Sequence, residues 1–253
     1  MANRWRRYEE LRPDELDAIV NERPVAFWPL GLLEHHGWSL PVGYDGIKAD
    51  RICQRVAAHT GGVILPVMWW GGGGGHDIFR WSHYQDLSAT ESILRRTVEQ
   101  LELFGFRVAV LLAGHYPWQS VLNEVVPEME AGMPSLRIFA GTELTVAGDL
   151  GLRGDHAALE ETSYGLALFP ELVDTGALTS GRDNRAWPRS TPPPAKRRHP
   201  GVVSDTDNPL YAQYGEDSRT ASAERGEQGL EKLVETLRQQ IDQALQETSK
   251  GLS

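Results

Sequence analysis

From Arg107 to Ala113 (Arg-Val-Ala-Val-Leu-Leu-Ala) the chain offers, after its first residue, no polar residue to either face of a strand. Successive strand side chains point to opposite faces, so a strand of this composition needs both faces covered. The interior of a parallel sheet between two layers of helices meets that condition, whereas a sheet open to water on one side alternates apolar and polar residues. Val25 to Leu30 and Val63 to Val67 carry the same signature, and Leu136 to Ala140 carries a weaker one. Between these runs lie segments of helical spacing: Ile47 to Ala58, Thr90 to Leu103 and Trp118 to Met129. Ala157 to Phe169 and Gly226 to Gln246 extend the pattern, and Asp14 to Val20 reads as a short helix with an acidic first turn. Strands alternating with helices in this way predict βαβ units. The expected fold is α/β: a three-layer α/β/α sandwich with a mostly parallel central sheet, in one domain spanning residues 1–253.

Two long loops interrupt the alternation. Residues 68–88 hold Trp69-Trp70, the glycines Gly71 to Gly75, then His76, Trp81 and His83. Residues 176–219 hold Pro188, Pro192, Pro193, Pro194 and Pro200 with many charges. Loops of this length in a compact domain are usually lids, binding loops or disordered segments, and both are expected near the site. The formal net charge of −10 argues against a nucleic-acid surface, and the densest basic run, Lys196-Arg197-Arg198, is short. No stretch approaches the roughly 20 apolar residues of a membrane span. The first residues are polar, so no secretory signal is expected, and the lone cysteine, Cys53, fits a reducing cytoplasm and reads as a buried core residue.

Directly after the strand at 25–30 come Glu34, His35, His36 and, past a turn, Asp45. Loops that leave the carboxyl ends of parallel strands are where α/β proteins bind ligands. Carboxylates and imidazoles are the donors that Zn²⁺, Mn²⁺ and Fe²⁺ accept, and ions so held can activate water. Taken alone, the stretch fits a solvated polar loop equally well. Gly114-His115-Tyr116 leaves the most apolar strand at the same kind of edge, so His115 could face Glu34 or serve only as a helix-start residue. Asp155-His156 and Glu160-Glu161 open a later helix, where acids also favour the helix dipole.

These clusters in this order make up a set of motifs: Pro29-Leu30-Gly31, Glu34, His36-Gly37, Leu40-Pro41 and Asp45; then Gly114-His115-Tyr116; then His156 and Glu161-Thr162-Ser163; then Thr220 to Glu227. The set resembles the creatininase (creatinine amidohydrolase) family over about residues 5–245. The resemblance implies a hydrolase that uses two divalent ions, Zn, Mn or Fe, to cleave the amide C–N bond of a lactam, cyclic urea or linear amide. It implies that Glu34 and His115 hold the first metal, His36 holds the second, and Asp45 bridges them. It also implies a catalytic histidine, His156, which either moves a proton to the leaving amine or orients a ligand. The family is commonly hexameric, so a homo-oligomer acting on a small molecule in the cytoplasm is expected.

One departure stands out. Where creatininase has a glutamate ligand two residues after the Gly-His histidine, this chain has Pro117, which cannot ligate. Glu161 is expected to approach the metals in its place, as both ligand and catalytic group, and the loss argues against creatinine as substrate. Trp38, Tyr44, His76, Tyr116 and Trp118 are the expected substrate contacts, although an aromatic set of this kind serves a pocket wall and a subunit interface equally well. Two other readings fit the same residues: a metal-assisted lyase or isomerase acting on a small carbohydrate-like molecule, and a non-catalytic metal-binding protein.

Overall fold

A computed structural model describes residues 5–74, 76–180, 187 and 199–250. Gly75, Pro188, Pro192 to Pro194 and Lys196-Arg197-Arg198 lie outside the described residues. The chain runs β1 (Trp5–Arg7), α1 (Pro13–Glu22), β2 (Val25–Leu30), α2 (Tyr44–Thr60), β3 (Gly62–Ile64), α3 (Leu87–Leu103), β4 (Val108–Ala113), α4 (Trp118–Gly132), β5 (Arg137–Thr142), α5 (Leu159–Leu168) and α6 (Ala223–Lys250). The five strands form one sheet in the order β1-β3-β2-β4-β5, and every strand pair is parallel.

β2 and β4 are buried along their whole length, as their composition demands. Their alternation splits the core in two. Ala26, Trp28, Leu30, Ala109 and Leu111 face α3 and α4, meeting Leu94, Val98, Leu122 and Val125. Val25, Phe27, Val108, Val110 and Leu112 face α2 and α6, meeting Ile52, Val56, Leu233 and Leu237. Each large aliphatic side chain taken out of water here contributes about 1.5–3 kcal/mol. Cys53 lies in the second core, where burial pushes its thiol pKa well up and leaves it inert.

Four differences from the sequence reading bear on the sheet and the site. β1, three residues with two arginines, carries no apolar signature and pairs at the sheet edge with β3. β3 ends at Ile64, just before Pro66, which has no N–H for a ladder. β5 runs on to Thr142 and so delivers Glu143 to the sheet's carboxyl edge. α2 begins at Tyr44, so Asp45 stands in the first turn of a helix rather than in the loop.

The chain leaves β2 for β3 on one side and returns to β4 on the other, which opens a crevice at the carboxyl ends of β2 and β4. Leu30 and Ala113 are in register, so the Glu34 and His115 loops depart side by side. Two glycines let α2 sit on those strand ends. A Cβ on Gly31 would meet Gly46 Cα at 2.5 Å, and one on Gly114 would meet the Asp45 carbonyl oxygen at 1.9 Å. Close backbone approach of this kind accepts only glycine. It seats Asp45 between the two loops.

Candidate metal centre and cavity

Three imidazoles converge on the crevice, and a backbone carbonyl fixes each ring. His36 donates from Nδ1 to the Glu34 carbonyl at 3.0 Å, His115 from Nε2 to Gly73 at 3.1 Å, and His156 from Nε2 to His35 at 2.9 Å. A carbonyl can only accept, so the second nitrogen of each ring is the one turned into the cluster, where it can hold a proton or a cation. His36 Nε2 lies 3.1 Å from Asp45 Oδ1 and 3.6 Å from Glu161 Oε2. His115 Nδ1 lies 3.1 Å from Glu34 Oε2 and 3.4 Å from Asp45 Oδ2. His156 Nδ1 lies 3.9 Å from Glu34 Oε2.

Within these contacts Glu34, Asp45 and His115 form one triad whose donor atoms all lie within 4.8 Å of one another. His36, Asp45 and Glu161 form a second on the same measure, and Glu34, His36 and His156 a third. Asp45 belongs to the first two, turning one oxygen to each imidazole. Glu34 Oε2, Asp45 Oδ2 and His36 Nε2 are fully buried without a hydrogen-bond partner. Buried polar atoms are rarely left so, and a cation among them would answer the deficit. The donor set fits divalent metal ions.

The electrostatics point the same way. Burial alone would depress His36, but Asp45, Glu161 and Glu34 outweigh it and lift its pKa to about 9. Burial likewise opposes His115, yet Glu34 and Asp45 carry it to about 10. Glu34 and Asp45 are held well below the usual carboxylate range, since the facing histidines overcome their desolvation. The cluster is an anionic cage that keeps two positive charges among its carboxylates. His156 behaves in the opposite sense: burial, then the neighbouring His36, lowers it to about 4. Burial and then His156 lower His76 to about 3.

The carboxylates also have supports that the sequence reading missed. Tyr84, from the 68–88 loop, donates its hydroxyl to Glu34 Oε1 at 2.5 Å. Lys48, fully buried one turn after Asp45, donates to Glu143 Oε1 at 2.8 Å and Glu161 Oε1 at 3.0 Å. Glu143 Oε1 also accepts from the Tyr116 hydroxyl at 2.7 Å. Asp155 accepts from the backbone N–H groups of Glu160 and Glu161, and its pKa is raised to about 7 by burial and then by Glu161.

A cavity of about 400 Å³ opens on the cluster, reaching Glu34, Asp45, His115, His156 and Glu161. Of the expected substrate contacts, His76 and Tyr116 line it, joined by Pro117, Gln119, Thr145 and Tyr214. Three others do not. Tyr44 is fully buried beneath His36 and donates its hydroxyl to the Glu161 backbone carbonyl at 2.5 Å. Trp118 is buried in the first core, with Nε1 donating to Gly31 at 3.0 Å. Trp38 stacks on Tyr211, away from the cavity, in a cluster with Phe79 and Trp187. His35 turns to the same cluster, stacked on Phe79 with Nδ1 on the Arg80 carbonyl, because alternate residues of an extended loop face opposite ways. A larger groove of about 800 Å³ lies beside α1 and α6, but it is far from these donors, and its charges pair with each other, as Arg23 does with Asp242.

The sequence profile of the creatininase family, described as creatinine amidohydrolase, matches residues 9–241. A creatinine amidohydrolase of Pseudomonas putida is 26% identical over 235 residues, covering 83% of this chain and 86% of its own length. A crystal structure of creatinine amidohydrolase superposes with a TM-score of 0.72 at 25% identity, covering 96% of this chain and 98% of that one. A glutamate-to-glutamine variant of creatininase in a Zn–Zn form superposes at 0.74 and 23% identity, over 96% of this chain and 98% of its own.

Proposed function

This chain belongs to the creatininase family, and from that premise we propose that it is a metal-dependent amidohydrolase of a small polar amide, with two divalent ions sharing Asp45. Glu34 and His115 complete the first position, and His36 and Glu161 complete the second. The observation that carries this reading is the geometry of Asp45, whose two oxygens each face a separate imidazole. Divalent ions at such a site supply Lewis-acid polarisation of a carbonyl and lower the pKa of water.

The chain's own groups divide the remaining work. His156 is neutral at pH 7, pinned through Nε2, and presents Nδ1 to the cavity beside Glu34. It is placed to take a proton at Nδ1 and pass it to the leaving amine. Tyr116, Pro117 and Tyr214 offer flat apolar walls, while Gln119 and Thr145 offer a polar edge. Among the described residues no tryptophan lines this cavity. With Pro117 standing where the relatives' resemblance calls for a glutamate, a small lactam, cyclic urea or linear amide other than creatinine is the proposed substrate.

The test is elemental analysis of protein purified without chelator, beside an assay of amine release from lactams, cyclic ureas and linear amides. At least one equivalent of divalent metal and chelator-sensitive turnover are expected. Failure to take up Zn²⁺, Mn²⁺ or Fe²⁺ would overturn the reading. No helix among the described residues is long and apolar enough to cross a membrane. We place the enzyme in the cytoplasm, and we assign Trp70, Trp81 and Leu87, all exposed around the 68–88 loop, to subunit contacts of a homo-oligomer, a hexamer on the family pattern. Light scattering checks the oligomer.

A further inference from the structure

The two halves of the proposed centre differ in what already occupies their carboxylates. In the first half Glu34 Oε2 and Asp45 Oδ2 meet only imidazole nitrogens, with His115 Nδ1 at 3.1 and 3.4 Å, and accept no hydrogen bond from any supporting group. In the second half Glu161 has both oxygens in use: Oε1 accepts from Lys48 Nζ at 3.0 Å, and Oε2 accepts from the Ala157 backbone N–H at 2.8 Å. Lys48 is fully buried, and an ammonium is brought into a protein interior only against a large desolvation cost. Here Glu143 and Glu161 offset that cost, and the faces of Tyr116 and Tyr44 lie 4.6 and 5.4 Å from Nζ. The ammonium therefore sits against the far side of the carboxylate that the second ion needs. Its charge repels that ion, and its hydrogen bond to Oε1 draws negative charge away from Oε2, the oxygen that faces His36.

We propose that Lys48 is a resident cation that holds the second metal position weak, so that this enzyme keeps one ion tightly, at Glu34, Asp45 and His115, and one loosely. The proposal rests on the two-ion reading above. It also gives Pro117 a physical partner. This chain lacks a ligand at that position, and the residue before it, Tyr116, donates to the same Glu143 oxygen that Lys48 does. A fixed monovalent charge does part of the neutralising that a fully bound second ion would otherwise do.

The test is calorimetric titration of the metal-free full chain with Zn²⁺, and separately with Mn²⁺, read as two binding constants. The native chain is expected to bind the first ion at least about tenfold more tightly than the second. Lys48→Met should tighten the second constant at least about tenfold while leaving the first within about threefold. Structural damage loosens a metal site, so a gain in affinity is a readout that a merely structural role for Lys48 would not produce. The double variant Lys48→Met/Glu143→Gln removes the buried pair together, which protects folding if the single variant is unstable, and should also tighten the second constant. Equal constants in the native chain, or variants that bind the second ion no better, would overturn the proposal while leaving the two-ion reading intact. Binding of no ion by any of the three proteins would remove the metal reading itself and this inference with it.

Discussion

The triads on either side of Asp45 are built from the same chemistry and differ in their surroundings. On the His115 side, two buried carboxylate oxygens face only imidazole nitrogens, and a tyrosine hydroxyl steadies Glu34 from behind. On the His36 side, the carboxylate is already engaged by an ammonium and a backbone N–H. The donor types alone make the halves look equivalent. What sits behind the donors makes one half open and the other partly satisfied.

The comparison can be broken most directly at the residue the halves share. Asp45→Asn removes a charge from both, and each ion should be lost by more than the about 10–100-fold that changes in outer partners cost. Elemental analysis should find the variant nearly empty; full metal content would mean that Asp45 bridges nothing. A crossed pair of variants separates the halves. Glu34→Gln should strip the tight ion, on the order of a hundredfold, and leave the weak one. His36→Ala should do the reverse, and a common loss in both would mean that the two positions are one.

pH sharpens the contrast in the ion-free protein. The folded pKa values of His36 and His115, about 9 and about 10, lie above the ordinary histidine value near 6.5. The stability they contribute is complete below about pH 6.5 and is lost as pH rises through 9 and then 10. Chelated protein should therefore melt progressively lower between pH 7 and 10. Saturating Zn²⁺, which takes the place of the two protons, should abolish the trend. A flat melting curve for chelated protein would count against the charged-imidazole cage. The smallest effect is expected from Tyr84→Phe, which removes one hydrogen bond to Glu34 Oε1. The tight ion should weaken about tenfold, and the loose one should not change, as read by titration.

Much of the fold was legible because uniformly apolar runs such as 108–113 leave few alternatives to a covered parallel sheet. β1 was not, since pairing at a sheet edge leaves no mark in three residues that are two-thirds arginine. In the site, Glu34, His36, Asp45 and His115 drew notice as polar groups at strand ends, but their grouping into one centre, and the place of Glu161 in it, came from the resemblance to the creatininase family. Lys48 drew no notice. In a helical pattern a lysine between Ile47 and Ala49 reads as solvent-facing, and only the seating of the first turn of α2 on the strand ends buries it. Glu143 escaped notice because the fifth strand reaches two residues beyond its apolar run. The aromatic residues misled for a different reason. Composition says that Trp118 and Tyr44 are large and flat, but it does not say whether they point into a cavity or into the core.

The hydrogen bond from His115 to Gly73 ties the metal centre to the glycine-rich loop. That carbonyl selects the tautomer that leaves Nδ1 available to a cation, so loop position and ion occupancy are linked equilibria. Reciprocity then holds in both directions. Whatever displaces the loop lowers ion affinity by some factor, and loading the ion resists displacement of the loop by the same factor. His76, on the same loop, lines the cavity, so the loop that fixes the His115 ring also forms part of the cavity wall.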